Sequence, residues 1–262
     1  MDAPRYLDRV GVDGVSEDRE SLRRLQRAHV ETVPFENLAI VGDPVAEGRG
    51  PGVTLDPDAL YEKVVERGRG GYCFELNGLF NGLLRALGFE ADRVAACVLD
   101  ADGSVGTPAN HHTSVVDLDR RYLVDVGLGV PPLRRLLPLD GEPVTDRAGV
   151  TWRVVDSDRP DEESLTQFRE PGGGWTDRYV FTDRPRELSY FEAACDYLST
   201  APESPFTGDP VVSVGTASGY KKLGRETLTV VEGAEETEHA VAPEEWHEVL
   251  AAEFGLEVDH RY

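Results

Sequence analysis

The chain is short of lysine, cysteine and methionine, and the lysine shortage bears on possible partners. Lysine stands only at positions 63, 221 and 222, so arginine carries 24 of the 27 positive charges, against 49 acidic residues. The net charge of −22 argues against nucleic acid or an anionic membrane as a partner, because both reward clustered Lys and Arg. A surface this acidic predicts a halophilic-type protein, which works where salt screens self-repulsion.

The small number of cysteines and the absence of a long apolar run indicate the cellular compartment in which the protein works. The cysteines at positions 73, 97 and 195 are too few and too scattered for a disulfide framework, which is typical of a reducing compartment. No apolar run is long enough to span a membrane, and the first residues lack the basic and apolar regions of a signal peptide. We therefore expect a cytoplasmic protein with no membrane partner.

The hydrophobic period changes along the chain and predicts three parts. Residues 1–90 repeat apolar side chains at helical spacing, whereas residues 91–187 alternate with a period of two, as in an antiparallel sheet or small barrel. Residues 188–262 combine a helix at 190–198, strands at 211–214 and 227–231, and a terminal helix at 243–254. The predicted fold class is α/β (α+β): a helical bundle, an antiparallel β-barrel and a C-terminal α/β lid.

Cys73 lies where a reactive thiol is expected. It follows Gly70 and Gly71, which allow a sharp backbone turn, and it precedes leucines at helical spacing up to Gly88. The pattern places the thiol on the first turn of a buried helix. A helix N-terminus favours negative charge, so we expect it to lower the pKa of this thiol.

A histidine pair and an aspartate lie on a predicted hairpin. His111 and His112 open one strand and Asp125 ends the next, with a turn at residues 119–120, so the two ends lie across from each other. A thiol on a helix facing a histidine on a sheet is the arrangement of papain-like cysteine proteases. Strand neighbours face opposite sides, so only one of the two histidines can meet Cys73.

Several motifs occur along the chain in the same order as in one enzyme family. They are Tyr6-Leu7 with Arg9-Val10-Gly11, then Val33-Pro34-Phe35-Glu36-Asn37-Leu38, then Arg69-Gly70-Gly71-Tyr72-Cys73-Phe74-Glu75-Leu76-Asn77, then Leu123-Val124-Asp125-Val126-Gly127-Leu128-Gly129, and finally Thr200-Ala201-Pro202-Glu203-Ser204-Pro205-Phe206. With them the chain resembles the arylamine N-acetyltransferases over nearly its whole length. It departs from the family pattern at Leu128, where phenylalanine is usual, and at residues 220–222, where a glycine-bearing turn is usual.

The resemblance implies a site and a reaction. It makes Cys73 the nucleophile and Asp125 the orienting carboxylate, and it favours His111 as the base because Val116 stands five residues after it, as a strand valine does in the family. It implies acetyl-CoA as co-substrate, with Gly127 and Gly129 beside the coenzyme A cleft, and no metal. The implied reaction is ping-pong acetyl transfer to an arylamine, arylhydrazine or similar small amine. The implied architecture is cysteine-protease-like, with parts at 1–90, 91–187 and 188–262.

Two other functions stay open. The same triad could serve a small-amide or thioester hydrolase or an amide synthase, because water exclusion and the acceptor pocket separate these reactions. A non-enzymatic metal-binding module could use Cys73, His111, His112 and Asp125, whose side chains suit zinc. Against this second alternative, the chain lacks the paired short-range ligands of structural zinc sites.

Overall fold

The computed structural model describes residues 1–46 and 48–257, and helices dominate its first ninety residues. Asp18 and Asp56 cap two of the helices, each accepting hydrogen bonds from backbone N–H groups of the first turn. Gly11 and Gly255 end two others in the left-handed conformation. The α-helices are α1 Ala3–Val10, α2 Arg19–Thr32, α3 Leu38–Val41, α4 Pro57–Tyr61, α5 Cys73–Ala86, α6 Glu192–Thr200 and α7 Trp246–Phe254.

The core beneath the site is built around helix α5. Its side chains pack against α1 and α2 on one side and against the neighbouring sheet on the other, so the helix is buried nearly all round. The helix was predicted to stop at Gly88, and it ends at Ala86 with Gly88 at φ +96°. The main buried apolar residues of this layer are Tyr6, Leu22, Leu25, Leu76, Leu79, Phe80, Leu83, Leu84 and Val116.

An eight-stranded antiparallel sheet follows and curls into a nearly closed barrel. The predicted hairpin is present: its strands His111–Asp117 and Arg121–Val124 pair with Ser114 opposite Val124, and the turn lies between them. The strand at Ser164–Arg169 was not predicted. In spatial order the strands are β5 Leu137–Pro138, β4 Arg121–Val124, β3 His111–Asp117, β2 Ala91–Val98, β9 Thr176–Pro185, β8 Ser164–Arg169, β7 Thr151–Asp156 and β6 Val144–Thr145.

A second sheet joins the two ends of the chain. Its first strand, the two residues Phe35–Glu36, pairs with Ser213 and Val212 from the last third of the sequence. Residues 220–222, where the sequence departs from the glycine-bearing turn usual in the family, lie in a strand of this sheet. The five strands, in spatial order, are β1 Phe35–Glu36, β10 Val212–Gly215, β11 Gly219–Leu223, β12 Thr227–Glu232 and β13 Glu235–Ala240.

The observed mixture of helices and antiparallel sheets confirms the predicted fold class. The predicted helix at 190–198 begins as a 3₁₀ turn, Leu188–Phe191, and continues as α6. The terminal helix likewise starts with a 3₁₀ turn at Pro243–Glu245. The division at residues 90 and 187 stays a prediction. The last five residues of the predicted third part, 258–262, lie outside the described part of the chain.

Candidate active site

Cys73 is the first residue of α5 and is 4% exposed. The glycines before it are required by close approach. A Cβ on Gly70 would lie 2.1 Å from the carbonyl oxygen of Pro34, and one on Gly71 would lie 2.9 Å from Cβ of Glu75. Neither position holds a left-handed backbone, so packing excludes side chains here. The chain enters the helix pressed against residues 34–36.

A buried ion cluster lies under this turn, formed by Glu36, Lys63, Arg69 and Glu75. Lys63 Nζ lies 2.8 Å and 2.9 Å from the two carboxylate oxygens of Glu75 and 3.6 Å from Oε1 of Glu36. Arg69 Nη2 donates to the same Oε1 at 3.1 Å. Glu75 also accepts the backbone N–H of Tyr72, directly before the cysteine. The cluster therefore ties both sides of the Gly70–Gly71 turn together.

The two cations set the ionisation of this cluster. Burial lowers the pKa of Lys63, but the charges of Glu36 and Glu75 outweigh it and hold that pKa above its ordinary value. Burial would raise the pKa of Glu36, yet Lys63 and Arg69 hold it below its ordinary value. Burial raises the pKa of Glu75, and the charge of Lys63 opposes that increase. The cluster thus pairs two acids with two bases in the protein interior.

His111 and Asp125 meet across the hairpin. Nε2 of His111 donates to Oδ2 of Asp125 at 2.7 Å, and both residues are 1% exposed. The other oxygen, Oδ1, accepts from Asn77 Nδ2 and from the backbone N–H of Gly127, both at 2.9 Å. Burial would raise the pKa of Asp125, but these partners, His111 first, hold it below its ordinary value. The carboxylate therefore fixes the ring and leaves Nδ1 as the nitrogen available to a thiol.

Asn77 and Gly127 join the helix to the sheet beside Cys73. Asn77, one turn along α5 from the cysteine, donates to the carbonyl of His112 at 2.7 Å and accepts the N–H of Val126 at 2.9 Å. A Cβ on Gly127 would lie 2.9 Å from Cα of Cys73. Only glycine allows the strand end to approach the nucleophile this closely.

His112 faces away from this corner. Its Nε2 donates to the carbonyl of Phe74 at 3.2 Å, and its ring lies 4.7 Å from that of Phe191. Burial, with Arg93 adding to it, lowers the pKa of His112 well below its ordinary value, so the ring stays neutral. Of the two histidines, the structure brings His111 to Asp125, and His112 packs in the core.

This separation also bears on metal binding. The four residues weighed as zinc ligands do not converge, because His112 is bonded to a backbone carbonyl on the other face of its strand. Within residues 1–46 and 48–257, no group of three or more His, Cys, Asp or Glu side chains is arranged to hold a metal ion.

In the same part of the chain, no helix combines the length and the apolar character that crossing a bilayer requires.

Burial dominates the ionisation of Cys73. It raises the pKa of the thiol well above its ordinary value, and the nearby Cys195 and Asp125 add to the increase, while the N–H of Phe74 opposes it. The helix N-terminus does lower this pKa through the N–H of Phe74, as expected, but burial outweighs that contribution. An anionic sulfur at this depth requires a cation beside it, and His111 lines the same cavity as Cys73.

Cys73 and His111 open onto one cavity of about 610 Å³. Its wall also contains Gly127 and Gly129, the latter with φ +67°, and Leu128 between them. Two cationic side chains reach it from different sheets, Arg178 on β9 and Lys222 on β11. Sequence reasoning missed both, because nothing in the sequence shows which of 24 arginines and three lysines faces the site. Apolar lining residues include Phe35, Val98, Leu198, Phe206 and Val211.

Comparison with known proteins gives one consistent result. A family model described as N-acetyltransferase matches residues 18–262. The arylamine N-acetyltransferase of Mycolicibacterium smegmatis is 37% identical over 248 residues, which cover 91% of this chain and 85% of that protein. The solved structure of the M. smegmatis arylamine N-acetyltransferase superposes with a TM-score of 0.85 at 31% identity and covers 98% of this chain and 93% of its own. That of Mycobacterium marinum arylamine N-acetyltransferase in complex with CoA gives a TM-score of 0.84 at 27% identity, covering 97% and 92%.

Proposed function

The chain belongs to the arylamine N-acetyltransferase family, and from that premise we propose that it transfers an acetyl group from acetyl-CoA to a small arylamine or arylhydrazine through a thioester on Cys73. One observation carries the proposal: a single cavity exposes Cys73 and His111, with Asp125 hydrogen-bonded behind the histidine. That is the arrangement a thiol needs to become a nucleophile in a buried site. We place the reaction in the cytoplasm, where acetyl-CoA is available.

In the first half-reaction, His111 accepts the thiol proton of Cys73 at Nδ1, since Nε2 is held by Asp125. The thiolate attacks the acetyl carbonyl carbon, a carbon–sulfur bond forms, and the bond to the coenzyme A sulfur breaks. The imidazolium returns its proton to the departing sulfur. One thioester replaces another, so the net free-energy change is small.

In the second half-reaction, the lone pair of the amine attacks the acetyl group on Cys73. His111 takes a proton from the attacking nitrogen and passes it to the sulfur as the carbon–sulfur bond breaks. The products are an acetamide or acetylhydrazide and the free thiol. Coenzyme A leaves before the amine enters the same cavity, so the kinetics should be ping-pong.

The cavity suits an elongated anionic donor. Gly127 and Gly129 leave its wall without side chains at the strand end, so a pantetheine arm could lie close to the backbone there. Lys222 reaches the cavity from the other sheet, and it is the residue we assign to the phosphates. A protein of net charge −22 needs such local positive charge to hold coenzyme A.

A burst experiment tests the proposal. Wild-type protein mixed with acetyl-CoA and no amine should release coenzyme A in a stoichiometric burst and then stop, because the acetyl group stays on Cys73. Cys73→Ala should give no burst and no transfer. The matched control is Cys97→Ala, a buried cysteine on β2 outside the cavity lining, which should keep the burst.

Other outcomes would overturn the proposal in distinct ways. Continued release of coenzyme A and acetate without amine would identify a thioester hydrolase. Transfer seen only when all reactants are present, without any burst, would replace the acetyl-cysteine intermediate by direct transfer. Full activity in Cys73→Ala would show that Cys73 is not the nucleophile.

A further inference from the structure

Three arginines lie together at the end of α5 farthest from Cys73. Arg93 on β2 and Arg186, directly after β9, stand opposite each other, and the N–H of Arg186 donates to the carbonyl of Arg93 at 2.8 Å. Opposite residues of an antiparallel pair point to the same face of the sheet. Arg85, in the last turn of α5, donates through Nε to the carbonyl of Ala91 at 2.9 Å. We call these three residues the arginine triplet.

The charge of the arginine triplet is unbalanced. Within residues 1–46 and 48–257, none of its three guanidinium groups forms a salt bridge, although the chain has 49 acidic residues against 27 basic ones. The charge of Glu187 acts on Arg93 without contact, from an exposed position. Like charges on directly opposite strand residues destabilise a sheet, so a counter-charge at this end of the barrel would stabilise it.

Two N–H donors of the triplet are buried without an acceptor. Arg93 is 5% exposed, its Nε makes no hydrogen bond in the described part of the chain, and its Nη2 reaches only the carbonyl of Gly78, at 3.5 Å. Nε of Arg186 is also buried and unpartnered there, while the guanidinium lies 4.9 Å from the ring centre of Tyr190. Leaving a buried donor unpaired costs free energy, and more so when it is charged. The two donors therefore point to a ligand that accepts hydrogen bonds and carries negative charge.

Arg93 is a cation in spite of its burial. Burial lowers its pKa to about 10, and the neighbouring charge of Arg85 adds to the decrease while Glu187 opposes it. The guanidinium is therefore still protonated at neutral pH. The effect of Arg85 also shows that these two cations lie close enough to repel each other, and an anion between them would turn that repulsion into attraction.

The depth of Arg93 limits the size of the ligand. Arg85 is exposed and Arg186 is half-buried, whereas Arg93 is almost fully buried. A peptide or a nucleic acid would meet the two outer arginines, and only a small anion reaches all three. Guanidinium groups bind phosphate oxygens through paired N–H donors, so three of them suit a tetrahedral oxyanion with two negative charges.

We propose that the arginine triplet binds a small phosphate-type oxyanion at a site separate from the catalytic cavity. None of the three residues is among those that line the cavity of Cys73 and His111. The bound anion would join the last turn of α5 to the ends of β2 and β9. The site is independent of the acetyl-transfer reaction, so binding alone tests it.

Isothermal titration calorimetry of the wild-type protein with inorganic phosphate, in KCl at constant ionic strength, measures the site. We expect saturable binding of one phosphate per chain. Arg186→Gln should lower the association constant about tenfold or more, because a charge-assisted hydrogen bond is lost. Arg85→Gln should lower it in the same direction, and because Arg85 is exposed this variant keeps the test valid if the first one does not fold.

Inorganic phosphate and phosphate monoesters share this chemistry, and a second titration separates them. Glycerol 3-phosphate is titrated into the same proteins under the same conditions. Tighter binding of the ester, weakened in Arg186→Gln, supports the site and assigns it to a phosphorylated small molecule. Tighter binding of inorganic phosphate, weakened in the same variant, supports the site and assigns it to the free anion.

Two controls separate the site from net charge and from the catalytic cavity. Arg184→Gln removes the same charge from an exposed position of β9, and Lys222→Met removes a cation of the cavity. Both should keep the affinity for phosphate. Equal losses in Arg184→Gln and Arg186→Gln would reduce the effect to net charge and overturn the site. Loss of binding in Lys222→Met would place the anion in the catalytic cavity and also overturn it, as would a wild type without saturable binding.

Discussion

Two buried polar groups of residues flank the start of α5, and they are built differently. The ion cluster of Glu36, Lys63, Arg69 and Glu75 closes on itself, each charge meeting an opposite charge. In the second group, the His111 ring is hydrogen-bonded to Asp125 through one nitrogen, and His111 also lines the cavity. A closed cluster can only hold a shape, whereas an open one leaves an atom free to react. We infer that the first positions Cys73 and the second performs chemistry.

The largest effect should come from breaking the open corner. His111→Ala should lower kcat/KM by about 10²- to 10⁴-fold, because the general base is lost. His112→Ala removes an equally buried ring from the next position on β3, but one bonded to the carbonyl of Phe74. It should cost stability and keep most of the activity, measured well below its unfolding temperature. An inactive His112→Ala beside an active His111→Ala would reverse the assignment.

The pH dependence of Cys73 alkylation sharpens the same comparison. Burial raises the pKa of the thiol, so without an imidazolium beside it the reactive form should appear only above its ordinary value of 9.0. The wild type should react with iodoacetamide at neutral pH, and His111→Ala should need alkaline pH. Identical profiles in the two proteins would show that His111 does not share a proton with Cys73.

Breaking the closed cluster should act on stability. Lys63→Met leaves two buried carboxylates with Arg69 alone and should lower the free energy of unfolding by about 3–5 kcal/mol. The control Lys221→Met breaks a half-exposed pair with Glu253 and should cost about 0–1 kcal/mol. Chemical denaturation at pH 7 measures both. Equal losses in the two variants would contradict the distinction between buried and exposed pairs.

Two further measurements separate charge from packing in the Lys63→Met variant. Adding Glu75→Gln removes the uncompensated carboxylate and should recover part of the loss. Glu36 has a lowered pKa in the folded wild type, so its contribution is present above the ordinary glutamate value of 4.5 and is lost as the pH falls below it. The difference between variant and wild type should therefore hold from pH 7 down to about pH 4.5 and shrink as the pH falls further. A difference that stays constant below pH 4.5 would attribute the loss to packing.

Salt should have the smallest effect and should act outside both clusters. The acidic surface includes strand β13, whose six residues are all exposed and include three glutamates. Raising KCl to molar concentration shortens the screening length to about 3 Å and should raise the unfolding temperature. The deficit of Lys63→Met should stay the same, because buried charges are little screened. Full activity in dilute buffer with loss at molar salt would contradict a halophilic-type surface.

Local patterns predicted the parts of the fold that are amphipathic. The helix of Cys73 and the hairpin of His111 follow apolar periods of three to four and of two, and the alternation of a strand shows that His111 and His112 must diverge. Strand β13 could not be predicted this way, because its residues are exposed on both faces. Strand β1 is only two residues long and depends on pairing with residues far along the chain.

Of the candidate site, the sequence predicted Cys73 and His111, which line one cavity, and Asp125, which is bonded to His111, and their catalytic roles stay a prediction. Glu75 accepts the N–H of Tyr72 at the helix start, and Asn77 donates to Asp125. The role of Lys63 was not visible, because its partners come from two other segments and meet only in the folded chain. The raised pKa of Cys73 was missed for a related reason: a motif shows a helix start but not how deeply the helix is buried.

The short strand β1 has a consequence for how the protein is made. Residues 34–36 touch Gly71 on one side through backbone hydrogen bonds, and on the other side Glu36 and Phe35 pair with Val212 and Ser213. During translation, Cys73 and the turn before it are synthesised long before strand β10. In the nascent chain, Cys73 is therefore present before the strand that pairs with residues 35–36. The enzyme therefore gains its working pocket late in translation, when its last third closes over a site whose thiol is already in place.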